Sequence, residues 1–329
     1  MSLKFLARHG AVRRFRAAAL MAVVGAALLS ACGGGGQVEP FRPTRVLAFG
    51  DEMSVIEADG RKYSINAFKQ ITVNGVLTDD PPNLDCTRNP IWIQTVALAF
   101  DLAFDRCLGA ATVASGQVQA QVGHKVADLA AQIAAVQGAA LGEKDLALVM
   151  IGMNDILELY GNYPTTGRDA LLAEARARGA ALGAAVNQLA QSGPAVVVLT
   201  IPDIGLSPFA LAQNVSTGDA TRSALISDLI EVFNNRMSVE LINDGRLIGL
   251  VYADIEVQNM VKFPGSFALT NVIAPACTSA APLPGCTTAT LVATATANGW
   301  LWADSLRLSP AGQARLGLLA SSRATSNPF

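Results

Sequence analysis

Five short, uninterrupted apolar segments recur along this chain, and they limit the fold more than any other feature does. Because their apolar residues do not alternate with polar ones, they predict strands buried on both faces, as in a parallel sheet. The segments are residues 46–49, 110–114, 146–151, 196–201 and 247–251. Stretches with apolar residues at helical spacing lie between or after them, at 117–136, 170–191 and 220–243. This alternation predicts an α/β fold, a three-layer α/β/α sandwich with about five parallel strands.

Ligand sites in such folds lie beyond the carboxyl ends of the strands. Residues 49–51 and 151–154 stand at two predicted strand ends, so we expect functional side chains there. Two other segments have the character of insertions. Residues 60–77 predict a β-hairpin that turns at an Asn-Gly pair. Residues 264–299 are rich in Thr, Ala, Pro and Cys and predict a surface loop.

Composition excludes several classes of protein. Of the 329 residues, 51% are hydrophobic and 15% are charged, which is enough apolar material for a large core and too little charge for a disordered chain. The formal net charge of −2 gives no basic excess for nucleic acid. The two histidines are His9 and His124, too few for zinc fingers or polyhistidine metal centres. We expect neither a metal nor a cofactor.

The start of the chain has the pattern of a targeting segment. Residues 1–16 carry five Lys or Arg and no acidic residue, residues 17–31 carry no charge, and Cys32 and four glycines follow. This order resembles a bacterial lipoprotein signal, in which the Cys becomes the lipidated N-terminus. An ordinary secretory signal with an incidental Cys is the alternative.

The lipoprotein resemblance implies a signal peptide at residues 1–31, a lipidated Cys32 with a Gly/Pro linker over residues 32–44, and a domain over residues 45–329. An acyl anchor would hold the protein on a membrane without a spanning helix. Residue 33 is Gly, where Asp would favour the inner membrane, so we expect the outer membrane, facing the periplasm. Cleavage would change the formal charge from −2 to −7 and leave His124 as the single histidine.

Four cysteines follow Cys32, and an even number in an oxidising compartment predicts two disulfides. Three pairings are possible. We favour Cys86–Cys107 and Cys277–Cys286, because each pair closes a short local segment.

Four short sequence blocks occur in a characteristic order. They are residues 49–54 (FGDEMS), 152–155 (GMND), 201–208 (IPDIGLSP) and 302–310 (WADSLRLSP). Together they resemble the GDSL/SGNH hydrolase family of esterases and lipases, over most of residues 45–322. The resemblance implies a flavodoxin-like fold and a Ser-His-Asp triad, in which His deprotonates Ser and Asp orients His. It also implies an oxyanion hole made by the Ser N–H, a Gly N–H and an Asn side chain.

Two positions of this chain depart from the family pattern. Glu52 stands at the nucleophile position and Arg307 at the His position, whereas Asp304 and Asn154 match. Glutamate lacks the alcohol that forms an acyl-serine. Arginine stays protonated at physiological pH and cannot act as a general base.

These substitutions predict a degenerate triad. Because Ser and His touch in the family, Glu52 and Arg307 should form an ion pair, with Asp304 on the other edge of the guanidinium. For the oxyanion glycine we prefer Gly116, because it precedes a predicted helix, and Gly109 is the alternative.

Two further residues are candidates for a catalytic role, and a third has a structural interpretation. Ser54 lies two positions after Glu52 and is a candidate displaced nucleophile, although helix capping is the favoured interpretation. His124, on a predicted helix, is more typical of a packing residue than of a base. Asp155 is assigned to capping or to bracing a loop.

The expected function is that of a lipid-anchored, ester-hydrolase-like protein in the bacterial envelope. It would keep a cleft for an acyl ester or an acylated glycan and act in binding or support, with the membrane as partner and no nucleic acid. The alternative is an active ester hydrolase that uses a displaced nucleophile such as Ser54.

Overall fold

The computed structural model describes residues 40–329, and Phe41–Phe329 forms one compact unit. The predicted signal peptide and Cys32 lie outside the described residues. Phe41 was assigned to the linker, yet its ring packs edge-on against Phe100 and Phe329, with ring centroids 6.2 and 5.3 Å away. Within residues 40–329, no helix has the length and apolar character that crossing a membrane requires.

A five-stranded parallel sheet lies at the centre of the fold, which confirms the predicted α/β class. Its strands, in spatial order, are β4 (Gly116–Val118), β1 (Arg45–Gly50), β5 (Asp145–Met150), β6 (Ala195–Leu199) and β7 (Ile248–Val251). All residues of β5 and β6 are buried, as expected for strands covered on both faces. The predicted strand at 110–114 is wrong. Those residues form turns and are exposed, because a short apolar run does not reveal whether other elements cover it.

Eight α-helices occur in the described residues. They are α1 (Trp92–Leu98), α2 (Leu129–Ala134), α3 (Met153–Gly161), α4 (Arg168–Gln191), α5 (Pro208–Thr217), α6 (Arg222–Glu240), α7 (Ala253–Lys262) and α8 (Pro310–Ser326). Helices α4 and α6 pack on each other, and α1 packs on α8. The chain moves along the sheet in one direction from β1 to β4 and in the opposite direction from β5 to β6 and β7. Because such crossovers are right-handed, the two helix pairs lie on opposite faces of the sheet.

The helical predictions at 170–191 and 220–243 are confirmed by α4 and α6. The single helix predicted over 117–136 is wrong. That segment holds β4, a loop that turns at Gly123 with a φ of +76°, and then α2. The loop leaves the carboxyl end of β4 and reaches the edge of the sheet where β1 ends.

Both insertions have their own structure. The hairpin consists of β2 (Phe68–Val73) and β3 (Val76–Leu84). It turns at the predicted Asn-Gly pair, but it begins and ends later in the chain than the predicted range 60–77. The second insertion contains β8 (Asn271–Pro275), which pairs with β9 (Trp300–Trp302). The predicted disulfides Cys86–Cys107 and Cys277–Cys286 are both present.

The packing of α4 on α6 allows a direct test. A Cβ at Gly179 would lie 2.2 Å from the carbonyl oxygen of Phe233. Gly179→Ala should therefore lower the free energy of unfolding by about 1–3 kcal/mol, although Ala is the better helix former. The matched control is Gly161→Ala in α3, where the new Cβ would meet nothing within 4 Å. Urea unfolding measures both, and equal stability of the two variants would contradict this packing.

Candidate active site

The site begins where β1 ends. Gly50 has a φ of +146°, and a Cβ there would lie 2.0 Å from the carbonyl oxygen of Met150, so only Gly fits between β1 and β5. Asp51 then caps a short 3-10 helix, Glu52–Ser54, by accepting a hydrogen bond from the Met53 N–H at 3.1 Å. This turn places Glu52 at the carboxyl edge of the sheet, where the strand order reverses and where ligand sites are expected.

Glu52 is a buried carboxylate with three hydrogen-bond donors around it, and its residue is 3% exposed. Its Oε1 lies 2.9 Å from Arg307 Nη2. Its Oε2 accepts two hydrogen bonds, from the side-chain amide of Asn154 at 2.9 Å and from the Gly123 N–H at 3.1 Å. A cation and two neutral donors therefore surround one buried carboxylate.

Arg307 joins Glu52 to Asp304. Its Nη1 lies 2.8 Å from Asp304 Oδ2, and the other oxygen of Asp304 accepts the backbone N–H groups of Leu306 and Arg307 at 2.8 and 2.6 Å. The Arg307 Nε is buried and has no hydrogen-bond partner among the described residues. The structure thus brings together Glu52, Arg307 and Asp304, the three residues that the sequence placed in one network.

Neither glycine predicted for the oxyanion position, Gly116 or Gly109, donates a hydrogen bond to Glu52 in the described residues. Gly116 lies in β4 opposite Val46, against Phe104, and Gly109 lies beside Thr87. The glycine whose N–H reaches the site is Gly123, on the loop after β4. The difference has a physical reason, since the predicted helix over 117–136 concealed a strand end and its following turn. The sequence feature that could have identified Gly123 is a Gly several residues beyond a short strand.

His124 is a supporting residue of the same loop. Its carbonyl oxygen accepts a hydrogen bond from the Asn154 amide at 3.1 Å, and its Nδ1 lies 2.9 Å from Nε2 of Gln132. The buried Gln132 also bonds both backbone groups of Gly50 at 2.8 Å. One amide therefore ties the end of β1 to the loop that carries Gly123 and His124.

Ser54 and Asp155 have structural partners. Ser54 is fully buried, and its Oγ lies 3.1 Å from Nε1 of Trp92. The capping role expected for Ser54 is wrong, because Asp51 caps the turn. Asp155 accepts the Val126 N–H at 2.9 Å and pairs with Arg178, which braces the Gly123 loop as expected.

The electrostatics fix the charges. Burial alone would raise the pKa of Glu52, but hydrogen bonds from Asn154 and Gly123, with the Arg307 charge, hold that pKa below its ordinary value. For Arg307, burial lowers the pKa, but the Asp304 and Glu52 charges raise it above its ordinary value. Burial raises the pKa of Asp51 well above its usual range, and the Glu52 charge adds to this. Of the two adjacent carboxyl groups, Glu52 is therefore the one that ionises more readily.

A groove of about 1160 Å³ lies elsewhere, between the Cys86–Cys107 loop and α1. Neither Glu52 nor Arg307 lines it. We place the candidate site at Glu52 and not in this groove, because a binding site needs polar groups that converge on a ligand as well as volume.

The shared guanidinium predicts unequal effects of removing each partner. Arg307→Met leaves two carboxylates unpaired and should cost about 3 kcal/mol of unfolding free energy, the low end for a buried pair because Arg307 is 22% exposed. Glu52→Gln leaves the Arg307–Asp304 pair and should cost less, about 1.5 kcal/mol. Because the pKa of Glu52 is lowered, its contribution is present at neutral pH and disappears as the pH falls through that pKa.

Urea unfolding at neutral and acidic pH measures these values. Arg61→Met is the matched control, since the Arg61–Asp59 pair is exposed, and it should leave stability unchanged. Equal costs for Arg307→Met and Arg61→Met would contradict a structural role for the network.

Comparisons with known proteins find several solved structures of similar fold, including the following two. The chain is similar to crystal structures of Axe2, an acetylxylan esterase from Geobacillus stearothermophilus (15% identity, TM-score 0.37, covering 87% of this chain and 96% of that one), and of phospholipase A1 from Streptomyces albidoflavus NA297 (17% identity, TM-score 0.39, covering 86% and 100%). No family model and no curated protein matches the chain. Similarities this low transfer no activity, so function is inferred from the chain's own side chains.

Proposed function

We propose that this chain is a non-hydrolytic relative of the GDSL/SGNH hydrolases that serves in binding or structural support. One observation carries the proposal. The Glu52 carboxylate accepts hydrogen bonds from the Asn154 amide and the Gly123 N–H. In the family that this sequence resembles, donors of this kind bind the oxyanion. A side chain of the protein itself thus occupies the place of the transition-state charge.

The site fails to meet three requirements for hydrolysis of an ester. No alcohol stands at position 52 to attack a carbonyl. Arg307 holds its proton and is engaged by two carboxylates, so it accepts none. The two donors are already saturated by an ionised group, which a neutral ester carbonyl would have to displace. An acyl-ester or acylated-glycan ligand would therefore bind without placing its carbonyl on these donors.

The alternative of an active esterase or lipase with Ser54 as nucleophile finds little support. Ser54 is fully buried and accepts a hydrogen bond from Trp92. Neither His124 nor Arg307 is among its hydrogen-bond partners in the described residues. A nucleophile needs a neighbouring base and access to substrate.

Reversal of the two substitutions tests the proposal. The parent protein should resist a fluorophosphonate serine probe and leave p-nitrophenyl acetate intact. The double variant Glu52→Ser/Arg307→His vacates the two donors and places an imidazole beside Asp304. It should hydrolyse the ester about 10²-fold faster than the parent and become labelled at position 52.

Each single variant is a control and should stay inactive. Adding Asp304→Asn to the double variant should lower its activity again. Labelling of the parent that disappears in Ser54→Ala would establish the alternative. A folded double variant with neither labelling nor turnover would contradict the proposal that the donor set is retained.

The proposal includes an acyl anchor at Cys32 that holds the domain on the periplasmic face of the outer membrane. Its support is the sequence pattern of residues 1–36. Cells fed a clickable palmitate should label the protein, and Cys32→Ala should abolish labelling and membrane retention. Secretion of an unlabelled protein would instead support the ordinary signal peptide.

A further inference from the structure

The hairpin of β2 and β3 projects from the domain without packing on it. Every residue from Lys69 to Thr78 is exposed. Four of them are aliphatic, with exposed fractions of 46% for Ile71, 45% for Val73, 64% for Val76 and 66% for Leu77. A two-stranded ribbon is marginally stable by itself in water, and clustered exposed aliphatic side chains mark a contact surface.

The aliphatic side chains lie on both faces of the ribbon. Val73 pairs with Val76, and Thr72 pairs with Leu77, so Ile71 shares the face of the Val73–Val76 pair and Leu77 lies on the opposite face. A flat protein surface on the first face would leave Leu77, the most exposed of the four, in water. Edge pairing with a second copy would cover a strand edge and leave both faces exposed. An apolar medium that surrounds the tip fits this distribution best.

Charge sets a limit on how deep the tip can enter such a medium. The nine residues from Gln70 to Thr78 carry no charge. The first charges on the two strands, Lys69 and Asp79, lie at nearly the same level, since Gln70 pairs with Asp79. Four residues at about 3.3 Å each place this level roughly 13 Å below the turn. That distance is close to the depth at which interfacial segments bury their apolar side chains, about 5–10 Å.

The base of the ribbon is fixed to the domain at the same level. Asp79 pairs with Arg88 at 2.9 Å and accepts a hydrogen bond from Thr288 of the second insertion at 3.2 Å. Arg88 also bonds the carbonyl oxygen of Phe68. The uncharged tip therefore stands on a braced base.

We propose that the hairpin tip is a lipid-surface contact, which inserts Val73, Val76 and Leu77 into the interface of a bilayer. Its unpaired strand edges stay in the hydrated headgroup region, because backbone groups without partners are excluded from hydrocarbon. The charges at the base of the ribbon, Lys69, Asp79, Asp80 and Arg88, sum to zero, and Asp79 is paired with Arg88. No net positive charge attracts anionic lipid, and the contact therefore depends on apolar burial.

The experiment uses the compact unit Phe41–Phe329, which omits Cys32 and so removes any acyl anchor. It should float with phosphatidylcholine vesicles, and salt or added phosphatidylglycerol should change this little. Val76→Asp/Leu77→Asp should lower the bound fraction about tenfold or more. Val76→Trp should show a blue-shifted emission that brominated lipids quench.

The matched control is Val239→Asp on α6, since Val239 is 75% exposed and lies outside the hairpin. It should bind vesicles like the parent, and circular dichroism should show that all variants are folded. Three outcomes would overturn the proposal. The first is a parent that does not float, and the second is a double variant that floats unchanged. The third is a dimer in sedimentation that the double variant dissociates, which would make a second copy the partner.

Discussion

The Glu52–Arg307 ion pair holds this structure's carboxyl edge together. It joins side chains 255 positions apart, one from the turn after β1 and one from the block before α8. Burying a carboxylate is costly unless a cation and hydrogen bonds compensate it. Here the cation comes from Arg307 and the hydrogen bonds from Asn154 and Gly123. Four separate segments therefore have to converge for one charge to be tolerated.

The surrounding polar groups follow from that requirement. Gln132 fixes Gly50 and the His124 ring, and the carbonyl oxygen of His124 fixes the Asn154 amide. Each contact orients a donor toward Glu52 or the strand that carries it. Asp51, beside this charge, keeps its proton more readily because burial raises its pKa and the ionised neighbour adds to the effect. Of the two adjacent acidic residues, Glu52 is therefore the one whose ionised form the surroundings compensate.

The sequence predicted those parts of the fold whose signal is local. Uninterrupted apolar runs predicted β1, β5, β6 and β7, because strands covered on both faces are apolar throughout. The run at 110–114 has the same composition and lies exposed, since local sequence does not record what packs against it. The segment 117–136 has apolar residues at helical spacing, yet its first residues form a strand because Gly116–Val118 pairs with β1. Tertiary contacts decided both cases.

The site divides in the same way. Glu52, Asp304, Arg307 and Asn154 belong to short blocks whose order indicates that they lie together. Gly123 contributes only a backbone N–H, which does not distinguish it in the sequence from other glycines in turns. Its selection depends on where the loop after β4 ends, and that is a property of the folded chain. The hairpin shows the converse. Its Asn-Gly turn was evident from sequence, but its exposure on both faces required the structure.

Glu52 and Arg307, which stand at the Ser and His positions of the pattern that this sequence resembles, are physically coupled. Arg307 without Glu52 would present a guanidinium beside two empty donors, the Asn154 amide and the Gly123 N–H. Glu52 without Arg307 would be a buried carboxylate with hydrogen bonds and no cation, which is the costlier half of a broken pair. Together they satisfy each other and the donors, and Asp304 holds the remaining edge of Arg307. A donor set suited to stabilising a transient negative charge in a reaction is equally suited to a permanent one. The same geometry that would serve acyl transfer thus accounts for its replacement by a stable ion pair.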